Sequence, residues 1–268
     1  MQNEHSGSGM GWLTETVKST IVRVVKNADE VTREVVGTIS ERIKEVTQSS
    51  LELVTQMGDA TANAARSAVR AADEAGSDTI KVAVRLLTGT FDGTSEVTVG
   101  AVKALRSVAS GVIQGLVDVG TDVEKAASRL AAETVQNAGE VSSNVVKVTR
   151  EAVTGIATGA SHTSTESLAA VQAAVRGAIG AAAEGGKDVG QVAVAAVTGA
   201  MDGVKKVGGS ASETLQALVQ SAVQAGTTAG PEALQKITTA LRTSIAGAEE
   251  AIKRVHDHDR QQQQPVQA

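Results

Sequence analysis

Thr154-Gly155-Ile156-Ala157-Thr158-Gly159 returns 44 residues later as Thr198-Gly199-Ala200-Met201-Asp202-Gly203. Related phrases stand at Thr88-Gly89-x-x-x-Gly93 and Gly111-x-x-x-Gly115, so the four copies are spaced by 22, 44 and 44 residues. A fixed interval of this size is the mark of a tandem array. Written in rows of 22 from Thr20, the chain fills eleven rows to Gln261 with no insertion or deletion. The second position of the rows reads Ile21, Ile43, Ala65, Leu87, Ala109, Ala131, Val153, Val175, Val197, Val219 and Leu241, all apolar. The sixth reads Val25, Thr47, Val69, Phe91, Ile113, Val135, Ala157, Ile179, Met201, Val223 and Ile245, with Thr47 the exception.

Each row divides into two halves of 11 that share their apolar positions. Eleven residues make three turns at about 3.67 residues per turn, so a stripe with this period stays on one side of a nearly straight α-helix. On a helical wheel, positions 1, 2, 5, 6 and 9 of each half form a continuous apolar arc. Positions 3, 7, 10 and 11 lie opposite, and positions 4 and 8, rich in Gly, Ala and Ser, flank the arc. Such a face is broader than a coiled-coil seam and suits a surface or a contact with several helices. The expected fold is all-α: long amphipathic helices built from tandem 22-residue units, with folding back into an antiparallel bundle as one arrangement of them. The expected binding face consists of the apolar residues larger than alanine in the second and sixth columns.

Charges follow the same register. The eleventh position is acidic in eight rows, at Glu30, Glu52, Glu74, Glu96, Asp118, Glu140, Glu184 and Glu250, and lysine recurs at the eighteenth as Lys81, Lys103, Lys125 and Lys147. These columns read as the solvated side, where an exposed ion pair contributes only ~0 to 1 kcal/mol. The glycines at the flanking positions, Gly89, Gly93, Gly111, Gly115, Gly155, Gly159, Gly199 and Gly203, read as a helix contact face, because small residues four apart let two backbones approach closely.

Position 13 holds glycine in five rows, at Gly76, Gly120, Gly186, Gly208 and Gly230. The residues after it, such as Ser77-Asp78, Thr121-Asp122 or Pro231-Glu232, resemble a helix end giving way to a new N-terminus. Two readings stand side by side: helix breaks in register, of which Gly230-Pro231 is the strongest, and packing glycines inside longer helices. Composition divides the chain into a polar, disordered tail over 1–11, more charged helical repeats over 12–151, and Ala/Gly/Val/Thr-rich repeats over 152–230. A C-terminal helix over 231–260 and a disordered Gln-rich tail over 261–268 complete it.

Composition also excludes several functions. With 25 basic and 30 acidic residues, a formal charge of −5 and no concentration of positive charge, nucleic acid is not an expected partner. The chain has no cysteine, which removes disulfides and thiolate metal sites. One Trp, one Phe and no Tyr in 268 residues are not the make-up of a compact enzyme. The most apolar run, Leu168 to Ala183, is interrupted by Gln172 and Arg176 and is shorter than the roughly 20 residues a membrane-spanning helix needs. No signal peptide is read at the N-terminus, and the expected location is cytoplasmic, peripheral on a lipid or granule surface.

No catalytic constellation is found. His5, His162, His256 and His258 are scattered, without a nucleophile at motif spacing. His256-Asp257-His258-Asp259 reads as a solvated helix end and not as a metal site. Gly180 to Lys187 imitates a phosphate loop but has one residue too many before the lysine, and Asp188 where Ser or Thr should come next. No enzyme activity, cofactor or metal is expected.

Val192-Ala-Val-Ala-Ala-Val-Thr-Gly-Ala-Met-Asp-Gly-Val-Lys-Lys-Val-Gly-Gly209 resembles the 11-residue repeats of synucleins and perilipins, and the 22-residue organisation is similar to that of exchangeable apolipoproteins. Those families imply reversible binding to lipid droplets, lipoproteins or vesicles through helices that fold on the surface. Their faces are commonly bordered by Lys, whereas this polar side is net acidic. The leading expectation is a non-enzymatic coat or adaptor on a lipid droplet, polyester granule or membrane, held by apolar burial with little dependence on salt. The second is a self-associating helical scaffold whose rows shield one another, with the chain as its own partner. A desiccation protectant is the third.

Overall fold

The computed structural model describes residues 51–92, 99–140, 145–161, 167–207 and 211–262. Among them are ten α-helices and no strand. They are α1 (Leu51–Glu74), α2 (Thr79–Asp92), α3 (Val99–Asp118), α4 (Val123–Glu140) and α5 (Val145–Ala160), then α6 (Ser167–Glu184), α7 (Val189–Lys206), α8 (Ala211–Ala229), α9 (Pro231–Ser244) and α10 (Ala248–Gln262). The tail residues 1–11 and the first two rows' columns, Ile21, Val25 and Ile43 included, lie outside the described residues, as does the end of the Gln-rich tail.

Position-13 glycines end helices. Gly76, Gly120, Gly186 and Gly230 all have positive φ, of 69°, 69°, 62° and 113°. Gly208 is outside the described residues. At the first three, the glycine N–H bonds to a carbonyl three residues back and the next N–H to one five back, as in Ser77 N to Ala72 O (2.8 Å), Thr121 N to Leu116 O (3.0 Å) and Lys187 N to Ala182 O (2.8 Å). This pairing satisfies carbonyls that a helix end otherwise leaves open, and it requires the left-handed conformation that glycine adopts without strain. Two residues on, an aspartate starts the next helix. Asp78, Asp122 and Asp188 each accept from the backbone N–H three residues ahead, Lys81, Lys125 and Gln191, at 3.0 Å. The Gly-x-Asp triplet is therefore a complete stop-and-start signal, worth about 1 kcal/mol at the N-cap alone.

At Gly230 no linker is needed. α8 ends at Ala229, Pro231 takes the first turn of α9, and Glu232 pairs with Lys236 one turn on at 2.7 Å. The next break is out of phase. It falls at 245–247, with Gly247 at φ 83°, instead of at position 13, which in the last row is Ile252. Ile252 is buried within α10, and Gly247 is the one glycine that row contains. A positive φ goes to the residue that tolerates it, so the break moves with the glycine.

The most extensive helix contacts join α4 with α6, α5 with α7, α3 with α5 and α1 with α3, helices two apart in the chain. Consecutive helices also touch. The chain thus alternates between two rows of helices, α1, α3, α5, α7 and α9 in one and α2, α4, α6, α8 and α10 in the other. One apolar cluster of Ala, Val, Leu and Ile runs through all ten. Because the side chains are small, the helices can be enclosed on several sides. In α5 every residue from Ala152 to Ala157 is buried.

Candidate functional site

The apolar columns face inward. Val69, Leu87, Ile113, Val135, Val153, Val175, Ile179, Val197, Val219 and Leu241 are fully buried and Val223 nearly so. Met201 and Ile245 are half-buried and pack against the same cluster. Phe91 lies in α2, but its side chain is outside the described residues. Read from the sequence as a face for an outside partner, this arc is covered by the chain's own helices. Each fully buried Val, Leu or Ile contributes about 1.5–3 kcal/mol relative to exposure, so the arc already has the burial it needs. Among the described residues, the large apolar side chains left exposed, Val146, Leu168 and Val207, sit at helix ends.

The flanking glycines form the seams between helices two apart. A Cβ on Gly111 would lie 2.0 Å from Ala62 O, on Gly155 2.3 Å from Arg106 O, and on Gly199 2.3 Å from Arg150 O. Gly115, Gly159 and Gly203 lie over Arg66, Ser110 and Thr154 in the same way, and in the other row Gly177 lies over Ser128. Every one of these glycines meets the residue 49 positions earlier. A constant difference, and not a constant sum, means that the two helices run in the same direction. Gly89 is buried in α2, while Gly93 is outside the described residues.

Polar groups close the seams. Thr154 Oγ1 lies 3.0 Å from Gly199 O across the α5–α7 contact and 2.7 Å from its own Arg150 O. Gln172 Nε2 donates to Ala217 O from α6 to α8 at 3.2 Å. An arginine beside each seam reaches an acid on a neighbouring helix of its row, the following helix for Arg66, Arg106 and Arg150 and the preceding one for Arg176. Arg66 Nη2 donates to Asp118 Oδ1 at 2.8 Å, Arg150 Nη2 to Asp202 Oδ2 at 2.6 Å, and Arg176 Nη2 to Glu124 Oε1 at 2.8 Å. Arg106 pairs with Glu151 likewise. The hydrogen bond from Arg66 holds the Asp118 carboxyl below its ordinary range and raises the guanidinium in turn. Lys206, at the end of α7, is lowered by partial burial and by the nearby Arg106, against the opposing pull of Glu151 and Asp202.

These inter-helix pairs were not read from the sequence. The 44-residue spacing equates Arg106 with Arg150, but their acids lie 45 and 52 residues on, so the repeat register alone does not give the pairing. Of the charged columns, Asp118 is engaged across a seam by Arg66, and most of the other described members face solvent. Lys81, Lys103, Lys125 and Lys147 are exposed, as are Glu74, Glu184 and Glu250.

Thr149 Oγ1 is buried without a hydrogen-bond partner. Its counterparts at 44-residue steps, Leu105, Ala193 and Ile237, are buried apolar residues, so the hydroxyl occupies a core position. Among the described residues no group of three or more His, Asp or Glu side chains could hold a metal ion. No helix among them is long and apolar enough to cross a membrane, α6 with its Leu168 to Ala183 run included. No protein-family model matches the chain, and no curated protein matches it.

Proposed function

We propose that the chain is a self-contained helical scaffold: tandem 22-residue units, each contributing one helix, stacked in two rows. Consecutive helices reverse direction at the Gly-x-Asp turns, and helices two apart lie parallel across glycine seams. The observation that carries this reading is the burial of the arc. Ile113, Val153, Ile179 and Val197 have no exposed surface left to offer a lipid or granule. A coat working through the same arc would first have to part the seams, breaking the Arg150–Asp202 and Arg66–Asp118 pairs and reopening glycine contacts made backbone to backbone. The paired seams are what a stack of repeats needs, since each unit covers its neighbour and stability accumulates from nearest-neighbour contacts.

Circular dichroism in dilute buffer, with and without neutral phospholipid vesicles, tests the proposal. The scaffold is already highly helical in buffer, melts cooperatively, and gains no helicity from vesicles. Low helicity in buffer that rises on vesicle addition would overturn it in favour of the coat. Substituting Ile113→Asp separates the two again: in a scaffold it lowers the melting temperature in buffer, whereas in a coat it leaves the lipid-free state unchanged and weakens flotation with vesicles.

A further inference from the structure

We draw no further inference here: the strongest candidate, the outer face of α1 around Asn63, Ser67 and Ala71, which a step of 44 residues equates with the Ser107, Gly111 and Gly115 face that α3 turns toward α1, is an unpartnered helix face, and nothing in the structure shows what covers it.

Discussion

Replacing Gly199 by alanine sets two opposing effects against each other. Alanine in a helix interior is favoured over glycine by roughly 0.5–1 kcal/mol, so on propensity alone Gly199→Ala stabilises α7. The seam opposes it. The new Cβ would stand 2.3 Å from Arg150 O and 3.1 Å from Arg150 C and Cα, and all three are backbone atoms that no rotamer change can remove. Relief requires α5 and α7 to separate by close to an ångström. A gap of that size forfeits about a quarter to a half of the dispersion attraction of the contacts along it. It also stretches the 3.0 Å contact from Thr154 Oγ1 to Gly199 O and the Arg150–Asp202 pair. Overpacking of this kind costs about 1–3 kcal/mol, and loss of the hydrogen bond about 1 kcal/mol. The balance is a net destabilisation of about 1–3.5 kcal/mol, which at this chain length lowers the melting temperature by roughly 2–14 °C. Gly180 is the control. It is also mid-helix, in α6, but a Cβ there meets nothing within 4 Å, so Gly180→Ala should raise the melting temperature. Thermal melts followed by circular dichroism at 222 nm measure both. If Gly199→Ala proved as stable as the parent, or if both variants shifted the same way, the glycines would not be seams.

Other consequences are smaller and separable. Thr149→Val removes an unpartnered hydroxyl from the core at nearly constant shape, and should stabilise by about 1 kcal/mol; a lower melting temperature would mean that the hydroxyl has a partner. Alanine at Gly76, Gly120 or Gly186 meets no atom within 4 Å, so its cost is backbone strain alone, about 1–2 kcal/mol at each site. Equal losses at the three turns are expected, and a loss confined to one would show that the turns are not equivalent. The Asp118 carboxyl is held low by Arg66, so the stability it supplies is present above the ordinary aspartate value near 3.9 and lost as pH falls through the lowered one. The pair is exposed and its contribution is under about 1 kcal/mol. Titration followed by carboxyl NMR should place Asp118 below the ordinary aspartate value, and Arg66→Gln should move it back up toward that value; no change on that substitution would remove the assigned cause.

The all-α class and the side of each helix that avoids water were legible in the sequence, each for a physical reason. Columns such as Val153, Val175 and Val197 say which side of a helix avoids water, because eleven residues close on three turns. They do not say what replaces the water, since a neighbouring helix and a lipid surface are equally apolar to a valine. The 44-residue recurrence of Gly111, Gly155 and Gly199 held the missing information: it equates every second helix, which is how the contacts are distributed. The position-13 glycines admitted two readings until their φ angles were known, because packing and capping favour the same residue. Gly247 shows the limit of register. Where the last row placed Ile252 at position 13, the requirement for a positive φ overrode the period and shortened α9 to 14 residues.

The repeat length and the contact offset differ, 44 against 49, and the difference has a geometric meaning. Residues that correspond between α3, α5 and α7 do not sit side by side. Each helix is slipped along its axis by five residues relative to the one before, about 7.5 Å at 1.5 Å per residue. The row is a staircase whose tread is set by where the glycines fall, independently of how many helices it holds. Gain or loss of a whole 44-residue segment therefore changes the number of steps and leaves their slope intact. A single residue inserted inside α7 ahead of Gly199 would instead turn that glycine by about 100° off the seam, so the length of this staircase is free to drift while the phase within each helix is not.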